Sequence, residues 1–144
     1  MSERGFAAPV LVVVLALVVF ALGGVTSDLW RLLHAHRVLS GEVDAAASAA
    51  ASALDEAAYR ADPEGPPRLD PIRARELACA ALSDREPVDC PGPDVMVDVV
   101  DDSVTVTKHR TVSLLFVGRF LTAANSDVLI EASARVSLIR GGGP

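Results

Sequence analysis

Aromatic side chains are scarce: four Phe, one Trp and one Tyr make up 4% of the 144 residues. A ring-built core is therefore excluded, and the 51% hydrophobic share has to come mainly from Ala, Val and Leu. Positive charge is also in short supply. Lys and Arg number 13 against 19 Asp and Glu, a net charge of −6. Because Glu3 and Arg4 cancel, all of that excess lies beyond residue 27. An acidic outer part repels a phosphate backbone, which argues against nucleic acid as a partner.

The residues that carry chemistry are equally thin. His34 and His36 are two apart on an expected helix, not at the i, i+4 spacing that chelates a metal. His109 stands beside Lys108 and Arg110 on an expected strand with no partner constellation in view. Asp98, Asp101 and Asp102 lack the spacing and the Gly of a calcium loop and read as a solvated acidic turn. Cys79 and Cys90 lack the two-residue spacing of redox and zinc motifs. There is no Gly-rich phosphate loop, since Gly141-Gly142-Gly143 is a tail without a following helix. The expectation is a protein that is not an enzyme, with no catalytic residue, metal, cofactor or small-molecule substrate.

What is present begins with one segment. From Gly5 to Ser27 there is no charged side chain, and Phe6 to Val25 gives 20 nearly continuous apolar positions. At 1.5 Å per residue these span roughly 30 Å, about one bilayer core. Three readings compete: an uncleaved membrane anchor, a secretory signal, or a buried core helix. Length favours the anchor, because a signal's apolar region runs to about 7–15 residues behind a basic front. The secretory alternative keeps support from the small residues of Ala21-Leu22-Gly23 and Gly24, where a signal peptidase could cut. Pro9 falls in the first turns, where its missing donor does least harm. Arg4 on one side and Arg31 and Arg37 on the other leave orientation open by charge counting. The cysteines tilt it: two cysteines in an exported region tend to pair, which favours a C-terminal part outside the cell with a Cys79–Cys90 disulfide.

Asp28 to Arg60 contains no proline and only Gly41 as a breaker, so a continuous amphipathic helix is expected over residues 28–61. Alternate steps of three and four give Leu29, Leu32, His36, Leu39, Val43, Ala46, Ala50, Ala53 and Ala57, an apolar stripe that narrows to alanine. Small side chains let a neighbour approach closely. The stripe serves either a helix of another subunit or the chain's own sheet. Asp62-Pro63-Glu64-Gly65-Pro66-Pro67 ends the helix. A short helix then starts with Asp70 as N-cap and Pro71 in its first position, running to about Ser83 with Ile72, Leu77, Ala78, Ala81 and Leu82 as its apolar positions. Cys79 sits on it and Cys90 in the following loop, so a bridge needs α-carbons within about 7 Å.

From Val95 the period changes from 3.6 to 2. Val95 to Val100, the Asp101-Asp102 turn and the segment from Ser103 predict a hairpin, with Val104 and Val106 opposite in facing to Thr105 and Thr107. VSLLFVGRFLT either extends the second strand or folds into an apolar turn. Val128 to Ile139 alternates cleanly and predicts a third strand. A small sheet of this kind needs a helix over its apolar face, and the long helix is the only element large enough. The expected fold is α+β: a long N-terminal transmembrane helix continuing into an outer domain, a short second helix and a three-stranded antiparallel sheet, a pilin-like lollipop. Its parts are a cytoplasmic N-terminus (1–5), the membrane helix (6–27), the extended helix (28–61), a Pro-rich loop with a short helix (62–94), the sheet (95–140) and a tail (141–144).

Arg4-Gly5, the Val/Leu/Ala run, Asp28, the basic residues Arg31 and Arg37, and Val43-Asp44-Ala45-Ala46-Ala47 together resemble TadE/TadG-like proteins, pseudopilin-like components of Tad, or Flp, pilus assembly. The β-rich later half, VTVTKHRTVSLLFVGRF and the final alternating strand, is also similar to that family's outer region. The resemblance implies a single-pass protein of the cell membrane, N-terminus inside and outer domain exported. It implies as partners the membrane and other pilus-assembly or pseudopilin subunits, met by helix and protein packing. It places prepilin-peptidase cleavage between Gly5 and Phe6. Many members carry a Glu about five residues into the mature helix, where this chain has Val10, and the departure is closer to the TadG-like branch of anchored accessories. The alternative from another class is a small secreted α+β binding protein released near Gly23 or Gly24.

Overall fold

The computed structural model describes residues 7–84, 87–117 and 127–138. Three helices precede three strands: α1 (Ala7–Ala51), α2 (Glu56–Ala61), α3 (Pro71–Ser83), β1 (Val95–Val100), β2 (Ser103–Ser113) and β3 (Asp127–Ser137). The chain is α+β, and its sheet has the order β1-β2-β3 with β2 central. Two compact units divide it, one drawn from Met1–Ala35 and Thr111–Val128, the other from His36–Arg110 and Leu129–Pro144.

In the first unit α1 carries the apolar run. Pro9 stands in the first turn, where an intrahelical donor is not required, and the Thr26 hydroxyl donates to the Leu22 carbonyl at 2.7 Å. The helix is long and apolar enough to cross a membrane. It does not pause at Gly41, which is exposed and passes through the helix as an ordinary position.

The second unit holds the packed core. Leu39, Val43, Ala46, Ala47, Ala50 and Ala53 of the α1 side are closed off from solvent, as are Ala74, Ala78 and Leu82 of α3. The sheet contributes Val95 and Val97 from β1, Val104 and Val106 from β2, and Ile130, Ala132 and Ala134 from β3. β1 and β2 pair antiparallel, Val97 opposite Val106 and Val95 opposite Lys108, so these side chains share one face. Between β2 and β3, Leu138 N–H donates to Asp102 O at 2.8 Å and the Thr107 and Ser133 hydroxyls meet at 3.3 Å, which fits an antiparallel pairing. α3 packs on β1. The β1–β2 turn has Asp101 at φ 48, a left-handed conformation that Asp tolerates better than most side chains.

Three expectations need correction. The helix does not run through residue 61: α1 ends at Ala51 and α2 is separate. Ser52 and Ala53 donate backward to Ala49 and Ala50 in tightened turns, and Leu54 then pairs with Leu69 as an antiparallel bridge. Asp55 restarts the helix, its Oδ1 accepting from Ala57 and Ala58 N–H at 3.0 Å. Ala57, beyond the break, is exposed and leaves the stripe, and Leu29 at its other end is exposed too. On α3, Asp70 caps Ile72 and Arg73 N–H as expected, but Ile72 is 69% exposed and Ala74 takes its place in the core. Of VSLLFVGRFLT, Val112 and Ser113 end β2, the chain leaves the strand at Leu114, and residues 118–122 lie outside the described residues.

Candidate functional site

α1 presents apolar surface on every side of its first half. Val10, Leu11, Val12, Val13, Val14, Leu15, Leu17, Val18, Val19, Phe20 and Leu22 are all between 46% and 70% exposed. A water-soluble monomer does not leave so continuous a patch uncovered, since each such side chain forfeits about 1.5–3 kcal/mol of burial.

At the end of that surface stands a carboxylate. Asp28 is 3% exposed, and it accepts three backbone N–H groups: Leu115 at 3.2 Å to Oδ1, and Phe116 and Val117 at 2.7 Å each to Oδ2. The Val117 bond lowers its pKa most; burial works in the opposite direction, and the Phe116 and Leu115 bonds and the Arg31 charge add to the lowering. The carboxyl is thereby held below the ordinary carboxylate range. One and two helical turns earlier, Gly24 and Phe20 lie on the same face as Asp28. The Phe116 ring meets Phe20 edge to face at 5.4 Å between centroids and 66° between planes. It occupies the space a Cβ on Gly24 would need. Phe20, Gly24 and Asp28 therefore form a notch that seats the segment Leu115 to Val117.

The stripe Leu39, Val43, Ala46, Ala50 and Ala53 is buried within the chain itself. The reading in which it meets a helix of another subunit therefore loses its surface here. Charge enters the same core: Glu42 and Lys108 form an ion pair at 2.9 Å, with side chains 11% and 6% exposed. Sequence reading missed both partners. The signal was parity, because Lys108 follows Val104 and Val106 on the inward side of β2, and Glu42 adjoins Leu39 and Val43 on the stripe.

Cys79 and Cys90 form a disulfide, with α-carbons 5.4 Å apart. It ties α3 to the loop that precedes β1. Gly5 and Phe6, the expected peptidase site, lie outside the described residues. His34 and His36 are exposed on α1, and His109 Nδ1 lies 3.8 Å from Glu131 Oε2. Among the described residues no three His, Cys, Asp or Glu side chains gather as a metal site. Comparison of the chain with protein-family models, with curated proteins and with solved structures returns no match.

Proposed function

We propose that the chain is a membrane-anchored, pseudopilin-like component of a Tad/Flp-type pilus assembly or secretion system, acting by packing and not by catalysis. The observation that carries this reading is the single 45-residue helix α1, which exposes an uncharged apolar surface from Val10 to Leu22 and buries Leu39, Val43, Ala46, Ala47 and Ala50 in an α+β core. A hydrocarbon solvent answers the first half. Trp30, 67% exposed just beyond the apolar run and followed by Arg31, suits the membrane boundary, where indole and guanidinium groups settle. The resemblance to TadE/TadG-like proteins gives the N-terminus inside and the outer domain exported, and a Cys79–Cys90 disulfide suits that compartment.

With the alanine stripe enclosed, subunit packing falls to the membrane half of α1. Gly23 has nothing within 4 Å of where a Cβ would stand, so a second helix can approach closely there. The secreted alternative fares less well, because cleavage near Gly24 would remove Phe20 and open the notch that seats Phe116. Deletion of the gene is expected to abolish or shorten surface fibres, and normal piliation in the deletion strain overturns the proposal. Intact mass of the native membrane protein adds the branch: a start at Phe6 marks a processed pseudopilin, and an uncut N-terminus an anchored accessory.

A further inference from the structure

Phe20 and Gly24 lie inside the apolar run, and Phe116 packs against both of them. Phe20 and Ser27 are seven positions apart, which sets the Phe20 backbone roughly 10 Å down the helix axis from the end of the uncharged stretch. A segment touching Phe20 and Gly24 therefore shares whatever solvent they have. If α1 spans the bilayer, as proposed above and on which this inference rests, residues 115–117 sit below the headgroup level beside it.

Two further features fit that position. Thr111 to Val117 contains no charged residue, and Leu115 turns away from the protein at 59% exposure. Irregular backbone is tolerated near hydrocarbon only when its polar groups are satisfied, because water is not there to replace a missing partner. The N–H groups of Leu115, Phe116 and Val117 are satisfied together by the Asp28 carboxylate. The same arrangement explains how an acid can stand at the end of a membrane helix: its charge is met by three donors and covered by the segment they belong to.

We propose that the segment Leu114 to Val117 is a second membrane contact, a wedge held to α1 by Asp28, with Leu115 inserted among the acyl chains at the headgroup boundary. Its partner is the bilayer itself. The chain is acidic and the wedge uncharged, so insertion depends on apolar burial, with no need for anionic lipid and little response to salt.

The test places a single tryptophan in the full chain. In a Trp30→Phe background, Leu115→Trp and, separately, Val117→Trp and Val13→Trp are reconstituted into phosphatidylcholine vesicles at low protein-to-lipid ratio, with retention of the disulfide as the check on folding. Brominated acyl chains quench any indole in contact with them. The expected result is blue-shifted, quenched emission at position 115, strongest with bromines near the headgroup end and unchanged in high salt, with position 13 quenched more deeply. Water-like, unquenched emission at both 115 and 117 while 13 is quenched overturns the wedge and leaves the anchor intact. Blue-shifted emission at 115 without quenching assigns the cover to protein, such as a second copy, and also overturns it. Absence of quenching at all three positions defeats the anchor reading, and the wedge with it.

Discussion

Glu42 Oε2 and Lys108 Nζ, 66 residues apart in the chain, lie 2.9 Å from each other, with both side chains nearly closed off from water. Desolvating two charges costs about as much as their attraction returns, so the pair is worth little against a well-packed apolar substitute. Either charge alone is another matter. Lys108→Met is expected to lower stability by about 3–5 kcal/mol, because it strands Glu42 in the core. The Glu42→Leu/Lys108→Met double variant should recover most of that loss. Denaturant unfolding of the full chain in detergent micelles checks the cycle, and additive losses in the double variant would refute the pairing.

Asp28 gives the chain a defined acid sensitivity. Its carboxyl is held below the ordinary carboxylate range, so the unfolded chain takes up that proton at a higher pH than the folded one. The stabilisation is complete above the unfolded value of about 3.9 and disappears as pH falls through the lower folded value. The protection of the Leu115, Phe116 and Val117 amides against exchange, taken relative to the free peptide at the same pH, should fall over that interval. Asp28→Asn, whose single acceptor oxygen cannot serve three donors, should show low protection there at every pH.

Gly23 and Gly24 are neighbours with opposite tolerance. A Cβ on Gly24 overlaps the Phe116 ring, and one on Gly23 meets nothing within 4 Å. Gly24→Val should displace Phe116 and cost about 1–3 kcal/mol, the usual range for overpacking. Gly23→Val should leave the fold intact. Protease sensitivity of the segment after β2 separates the two variants.

The Cys79–Cys90 disulfide closes a short loop, at a sequence separation of 11. Opening a loop of this size is expected to cost about 2–4 kcal/mol. Without reductant both thiols should resist labelling, and Cys79→Ser/Cys90→Ser should unfold at correspondingly lower denaturant. Full labelling of both cysteines in the native protein would refute the bond.

The elements legible from sequence are those specified by near neighbours. Asp70 and Pro71 sit side by side, so the start of α3 needs no tertiary information. The alternation along β3 already marks Ile130, Ala132 and Ala134 as the inward positions. Other features depend on residues far apart. The break after Ala51 runs against good helix formers, and it forms because Leu54 pairs with Leu69. The partners of Asp28 lie 87 to 89 residues away, where no periodicity reaches. Lys108 lay in view as an inward position, but a lysine reads as outward until Glu42 is placed opposite it.

The pairing of Leu54 with Leu69 also makes a gate with fixed posts. Asp55 N–H donates to Arg68 O and Asp70 N–H to Ala53 O, both at 2.9 Å, so the intervening chain leaves and returns through one closed base. Nothing on α2 is buried, and Ala61 to Glu64 are exposed. Lengthening such a stretch is cheap, since each doubling of a flexible loop adds only about 0.6 kcal/mol of closure entropy. An epitope or fluorophore-binding peptide spliced between Pro63 and Glu64 should therefore ride on the folded protein without loosening it, a handle for following this chain.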